Sequence, residues 1–80
     1  MGTGSSPNAP RPVRVRAEKG VPLAVAGELV EAVRDSWLIE DRWWTEQPIR
    51  RHYHELVGAG GRNIVVFCDL VRGGWFLQTA

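Results

Sequence analysis

Eighty residues carrying ten basic and nine acidic side chains, a formal net charge of +1, make one domain at most. Stability at this length has to come from a few large side chains, and so weak a field gives no broad electrostatic case for nucleic-acid binding. A lone cysteine, Cys68, excludes an internal disulfide, and no segment resembles a signal peptide or reaches the roughly 20 apolar residues of a membrane-spanning helix, so a cytoplasmic chain without membrane contact is expected.

Residues 1–11 are rich in Gly, Ser, Pro and Asn without hydrophobic periodicity, which predicts a disordered leader. Residues 12–80 then form a single small β-domain. Val13, Val15 and Ala17 alternate with Arg14 and Arg16, the pattern of a half-buried strand, and Glu18-Lys19-Gly20 supplies turn chemistry. Leu23 to Ala26 reads as a second strand entered through Pro22. Gly27 to Asp35 is ambiguous: Leu29, Val30 and Val33 have helical spacing, whereas Leu29, Glu31 and Val33 also alternate, so a strand is favoured with a short helix at 28–35 as the alternative. Trp37 to Ile39 continues extended into an Asp41-Arg42-Trp43-Trp44 corner, and Pro48 disfavours helix at Gln47. Ile49 to Val57 is a long polar strand. Gly58-Ala59-Gly60-Gly61 signals a hairpin into Asn63 to Asp69, the most β-prone run, and the turn Val71 to Gly74 precedes a last strand, Trp75 to Gln78. Short strands joined by glycine turns predict an all-β antiparallel meander of five to six strands, curled into a strongly bent sheet or small barrel.

Chemistry-bearing constellations are sparse. His52 and His54 share a strand face, yet no third ligand is evident for a metal, so ordinary surface histidines are expected and no cofactor. Cys68 with a histidine and Asp69 has the residue types of a nucleophile, base and orienting acid, but it lies in an apolar strand as a small buried hydrophobe would. Gly58 to Gly61 lacks the Lys-Ser/Thr ending of a phosphate loop and precedes a strand. The chain is therefore not expected to be an enzyme.

Three of the four tryptophans, Trp37, Trp43 and Trp44, fall within eight residues. Such rings either fill the core of a small barrel or anchor a partner, and neighbours in extended chain point to opposite sides, so one of Trp43 and Trp44 is expected inside and the other outside. Arginine supplies nine of the ten basic residues, and Arg14, Arg16 and Arg50 are candidates for phosphate contact.

In order, Pro12-Val13-Arg14-Val15, Gly20-x-Pro22, Trp37-x-Ile39-x-Asp41-Arg42-Trp43-Trp44, Arg51-x-Tyr53, a strand ending in Asp69, and Gly74-Trp75-Phe76-Leu77 resemble the extreme C-terminal module of ImuB-type proteins, and small free-standing proteins carry a similar signature. ImuB-type proteins are inactive homologues of Y-family translesion polymerases that act as hubs of the bacterial mutasome. The resemblance implies a non-catalytic interaction module in DNA-damage tolerance, with a DNA polymerase or other mutasome component as partner. It implies no DNA synthesis, because the polymerase-like portion has no counterpart here. Gln47-Pro48-Ile49-Arg50-Arg51-His52 does not satisfy the clamp-binding pattern Gln-x-x-Leu-x-Phe. The expected partner-binding set is Trp37, Asp41, Arg42, Trp43, Trp44, Arg51 and Tyr53. The alternative is a small single-stranded nucleic-acid binder that adds Arg14, Arg16 and Arg50 to the same aromatics.

Overall fold

The computed structural model describes residues 10–78. Its seven strands are β1 (Arg11–Pro12), β2 (Val15–Glu18), β3 (Val21–Val25), β4 (Glu28–Asp41), β5 (Ile49–Gly58), β6 (Asn63–Asp69) and β7 (Trp75–Leu77), and every pairing is antiparallel. The sheet order β1-β7-β6-β5-β4-β3-β2 is a meander from β2 to β7. Only Val13 and Arg14 separate β1 from β2, so one short stretch of chain touches both ends of the sheet and curls it into a half-barrel. All-β architecture and strong bending are as the sequence predicts, with more strands than the five to six expected. Arg11 belongs to the folded part rather than the leader, since it pairs with Leu77; residues 1–9 lie outside the described residues, as do 79 and 80.

Two hairpins use two-residue turns in which both central residues have positive φ, Lys19 (51°) with Gly20 (80°) and Ala26 (50°) with Gly27 (86°). This geometry matches the right-handed twist of the flanking strands, which is why glycine occupies the second position of each. The helical alternative at 28–35 is replaced by the start of the longest strand. Register shifts between Val30 and Ala32 and between Val33 and Asp35 break the period-two pattern there, so Leu29, Val30 and Val33 acquire a spacing that mimics a helix.

The core occupies the inner face at the barrel end. Val25, Leu56, Ile64 and Val66 are buried together, with Val13, Val15, Val30, Trp75 and Leu77 packed against them. Glu28 fastens two turns above it, accepting from Arg62 Nη2 at 2.6 Å and from the Gly60 N–H at 3.3 Å. These bonds hold its carboxyl below the ordinary carboxylate range, the arginine contributing most. Trp75 is thus the one tryptophan at the core, and the four do not jointly fill the barrel.

Beyond the barrel, β4 and β5 run on as a ribbon with β6 beside them. From Asp35 to Gln47 every residue is exposed.

Candidate functional site

Tight registers assemble the outer face. Counting outward from the glycine hairpin sets Tyr53 opposite Phe67, the β6–β7 turn sets Phe67 opposite Phe76, and the corner turn sets Trp37 opposite Tyr53. Four aromatic rings therefore cross four adjacent strands. Trp37 stacks on Tyr53 at 5.4 Å, Tyr53 tilts against Phe67 at 4.9 Å, and Phe67 stacks on Phe76 at 5.2 Å between centroids. Arg51 lies over this row with its guanidinium carbon 4.5 Å from the Phe67 centroid, and it donates to Tyr53 Oη at 3.3 Å. Phe67 is consequently only 2 % exposed although it sits on the outer face.

Next to the row, a cleft of about 170 Å³ is lined by Arg42, Gln47, Pro48, Ile49, Arg51, Asp69 and Arg72. Asp69 is the single acid in it. Its Oδ1 accepts from the Val71 and Arg72 N–H groups, both at 2.9 Å, which shapes the turn into β7. Those backbone bonds, led by Arg72, and the nearby Arg51 and Arg72 charges hold its carboxyl below the ordinary range. An adjoining cleft of about 230 Å³ shares Arg51, Asp69 and Arg72 and reaches Pro10, Phe67 and Phe76.

The Asp-Arg-Trp-Trp corner is a turn, not extended chain. Arg42 has φ 53°, its N–H donates to Asp41 Oδ1 at 2.7 Å, and its carbonyl accepts from the Thr45 N–H at 2.9 Å and Thr45 Oγ1 at 2.8 Å. Thr45 Oγ1 in turn accepts from the Gln47 N–H at 3.1 Å. Because the alternation of extended chain ends at Arg42, the expected inside-outside split of Trp43 and Trp44 does not occur. Both indoles are exposed, 72 % and 66 %, and meet only edge to face with centroids 5.5 Å apart.

The expected partner set thus divides into the ordered row (Trp37, Arg51, Tyr53) and the turn (Asp41, Arg42, Trp43, Trp44), joined by the arginine-lined cleft. The alternative set is dispersed. Arg14 and Arg16 lie in and beside β2 at the barrel end, whereas Arg50 sits on the ribbon's inner face and is bridged to Glu40 at 2.7 Å. Phe67, Asp69, Arg72 and Phe76 are contributors that the expected partner set left out. Counting residue pairs outward from Gly58 to Gly61 would have placed Phe67 beside Tyr53.

On the inner face His52 and His54 are neighbours, 4.3 Å between ring centroids. His54 is buried rather than on the surface: its Nδ1 shares a hydrogen bond with Ser36 Oγ at 2.9 Å, and its Nε2 has no hydrogen-bond partner among the described residues. Burial, then the neighbouring His52, pushes its pKa down. Cys68 is only partly buried, and its thiol is pushed up by desolvation and by Asp69. Among the described residues no three His, Cys, Asp or Glu side chains group to hold a metal ion, and no helix is long and apolar enough to cross a membrane.

No protein-family model, curated protein sequence or solved structure matches this chain.

Proposed function

We infer that the chain is a non-catalytic module that docks onto a protein partner through the Trp43–Trp44 corner and the adjoining aromatic and arginine surface. One observation carries this. The turn is pinned by Asp41, Thr45 and its own backbone, through hydrogen bonds that involve neither indole ring, and the two indoles lie largely in water. Exposed tryptophans rimmed by arginines and acids are the composition of an interface anchor with a polar rim. Asp41, Glu46 and Asp69 are interleaved with Arg42, Arg51 and Arg72 around the same corner, and such mixed charge suits a protein rim better than a uniformly anionic phosphate backbone. The resemblance to the ImuB C-terminal module points to DNA-damage tolerance, with a translesion polymerase or mutasome component as the partner.

The test is co-purification from the native cells with the unaltered chain and with the Trp43→Ala, Trp44→Ala double variant. Recovery of a damage-tolerance polymerase with the first and its loss with the second is expected. Equal recovery with both overturns the corner as the docking site. Binding of single-stranded oligonucleotide that quenches tryptophan fluorescence at low salt, and vanishes in the double variant, would transfer the function to the nucleic-acid class.

A further inference from the structure

Three arginines from separate parts of the chain line one cleft. Arg42 comes from the turn after β4, Arg51 from β5 and Arg72 from the turn before β7, and between them lies the hollow of about 170 Å³ beside the aromatic row. Like charges so gathered call for an anion. The two ion pairs among the described residues, Arg50 with Glu40 and Arg62 with Glu28, involve none of the three. Asp69, the single acid of the cleft, commits Oδ1 to the Val71 and Arg72 N–H groups, and three arginines against one aspartate leave an excess of positive charge.

Arg51 is also fixed in advance. Its guanidinium lies over the Phe67 ring, and its bond to Tyr53 Oη uses Nη1, which leaves Nε and Nη2, an edge that can grip a carboxylate in two parallel bonds. A donor held in place before binding loses less freedom when the acceptor arrives.

The cleft continues at both ends. Arg42 and Gln47 also line a hollow with Trp44, and Arg51, Asp69 and Arg72 also line the one against Phe76. A bound chain therefore runs through, from the indole to the aromatic row, and places a side chain rather than its terminus among the arginines. Resting on the docking role inferred above, we propose that the cleft takes the carboxylate of an aspartate or glutamate in an extended segment of the partner, with an apolar neighbour of that acid against Trp44. Residues 1–9 of this chain contain no aspartate or glutamate, so they do not supply the group. A single negative charge suits the site better than a doubly charged phosphate, because Asp69 stands in the cleft and Glu46 lines the hollow beside Trp44.

Nuclear magnetic resonance on the full chain tests this without the partner. The probe is the acetylated and amidated peptide Leu-Glu-Leu-Glu-Leu, with Leu-Gln-Leu-Gln-Leu as its neutral twin. The Glu peptide is expected to shift the side-chain Nε–Hε signals of Arg42, Arg51 and Arg72 and the Trp44 indole signal to saturation. The Gln peptide should bind about ten-fold more weakly, and the Arg42→Gln, Arg72→Gln double variant should lose a similar factor for the Glu peptide. The fold uses the backbone groups of these two residues in its hydrogen bonds, so the double variant should unfold at the same midpoint. Equal shifts from the two peptides, no shift at the arginines, or unchanged affinity in the double variant overturns the proposal. Tighter binding of a single-stranded oligonucleotide at the same three arginine signals replaces the carboxylate by phosphate and also overturns it. Co-purification separates the cleft from the corner. Loss of the partner with Trp43→Ala, Trp44→Ala but full recovery with Arg42→Gln, Arg72→Gln keeps the docking role and removes the carboxylate. Glu-peptide binding together with a partner indifferent to the tryptophans keeps the carboxylate site and moves the docking anchor elsewhere.

Discussion

The barrel end and the ribbon end are built from the same strands, β4, β5 and β6, but they solve different problems. At the barrel end Leu56 and Val66 are fully buried and the inner face is sealed by β2, β3 and β7. At the ribbon end the rings lie on the outer face, where Arg51 rather than another layer of sheet covers them, and the corner beyond is exposed among the described residues. One end supplies stability, and it leaves the other free to present tryptophans. The difference teaches that ring size alone did not mark the core: Trp43 and Trp44 are as large as Trp75, yet they stay exposed while Trp75 packs against the core.

The hardest way to break this division is at the largest fully buried side chain of each end, Leu56 in the barrel and Phe67 in the ring row. Leu56→Ala should cost about 2–5 kcal/mol and Phe67→Ala about 3–5 kcal/mol in urea unfolding, since each empties a fully enclosed site. For a domain of this size either loss approaches the whole stability. An effect under about 1 kcal/mol at Phe67 would mean that the aromatic row belongs wholly to the presenting end.

Trp37 stands at the border between the two. It keeps one ring face on Tyr53 and the other flank in water, so Trp37→Ala should cost about 1–2 kcal/mol, from partial burial plus one stacked pair. A loss as large as that of Phe67 would place the border nearer the corner.

Acid sharpens the comparison further. His54, the buried titratable group of the inner face, has its pKa lowered by burial and by His52. The unfolded chain therefore takes up a proton first, so stability is full above the unfolded value near 6.5 and falls as pH drops through it toward the folded value. Thermal unfolding between pH 8 and 5 should show that decline, and His54→Gln should flatten it while the corner is unaffected. Glu28 and Asp69 have the opposite, carboxylate sense: their contributions are present above the unfolded carboxylate value and are lost as pH falls through their lower folded values.

How much of this could be read in the sequence follows the same line. Where one face is buried, as at Val13, Val15 and Ala17, alternation marked the strand, and the glycines marked the turns. In the ribbon neither face of β4 is covered, so nothing forces a period, and the two bulges shifted the phase of what apolar residues there were. The split of Trp43 and Trp44 failed for a local reason: positive φ at Arg42 has no glycine or asparagine to announce it, and the side-chain bonds of Asp41 and Thr45 that hold it are invisible without coordinates.

The smallest expected effect on folding is also the most decisive for function. Trp43→Ala and Trp44→Ala, singly or together, remove rings that touch little besides each other, so the unfolding midpoint should stay within about 0.5 kcal/mol of the unaltered protein. The same double variant should abolish partner recovery, because a central aromatic anchor carries a large share of interface energy. Thr45→Val supplies the reciprocal case. It keeps the indoles but deletes the hydroxyl that both donates to the Arg42 carbonyl and accepts from Gln47, so it should loosen the turn and weaken docking by a smaller factor than loss of the rings. If instead the double tryptophan variant unfolds early while Thr45→Val is silent, the indoles hold the turn, and the separation of a stabilising end from a presenting end fails at the corner itself.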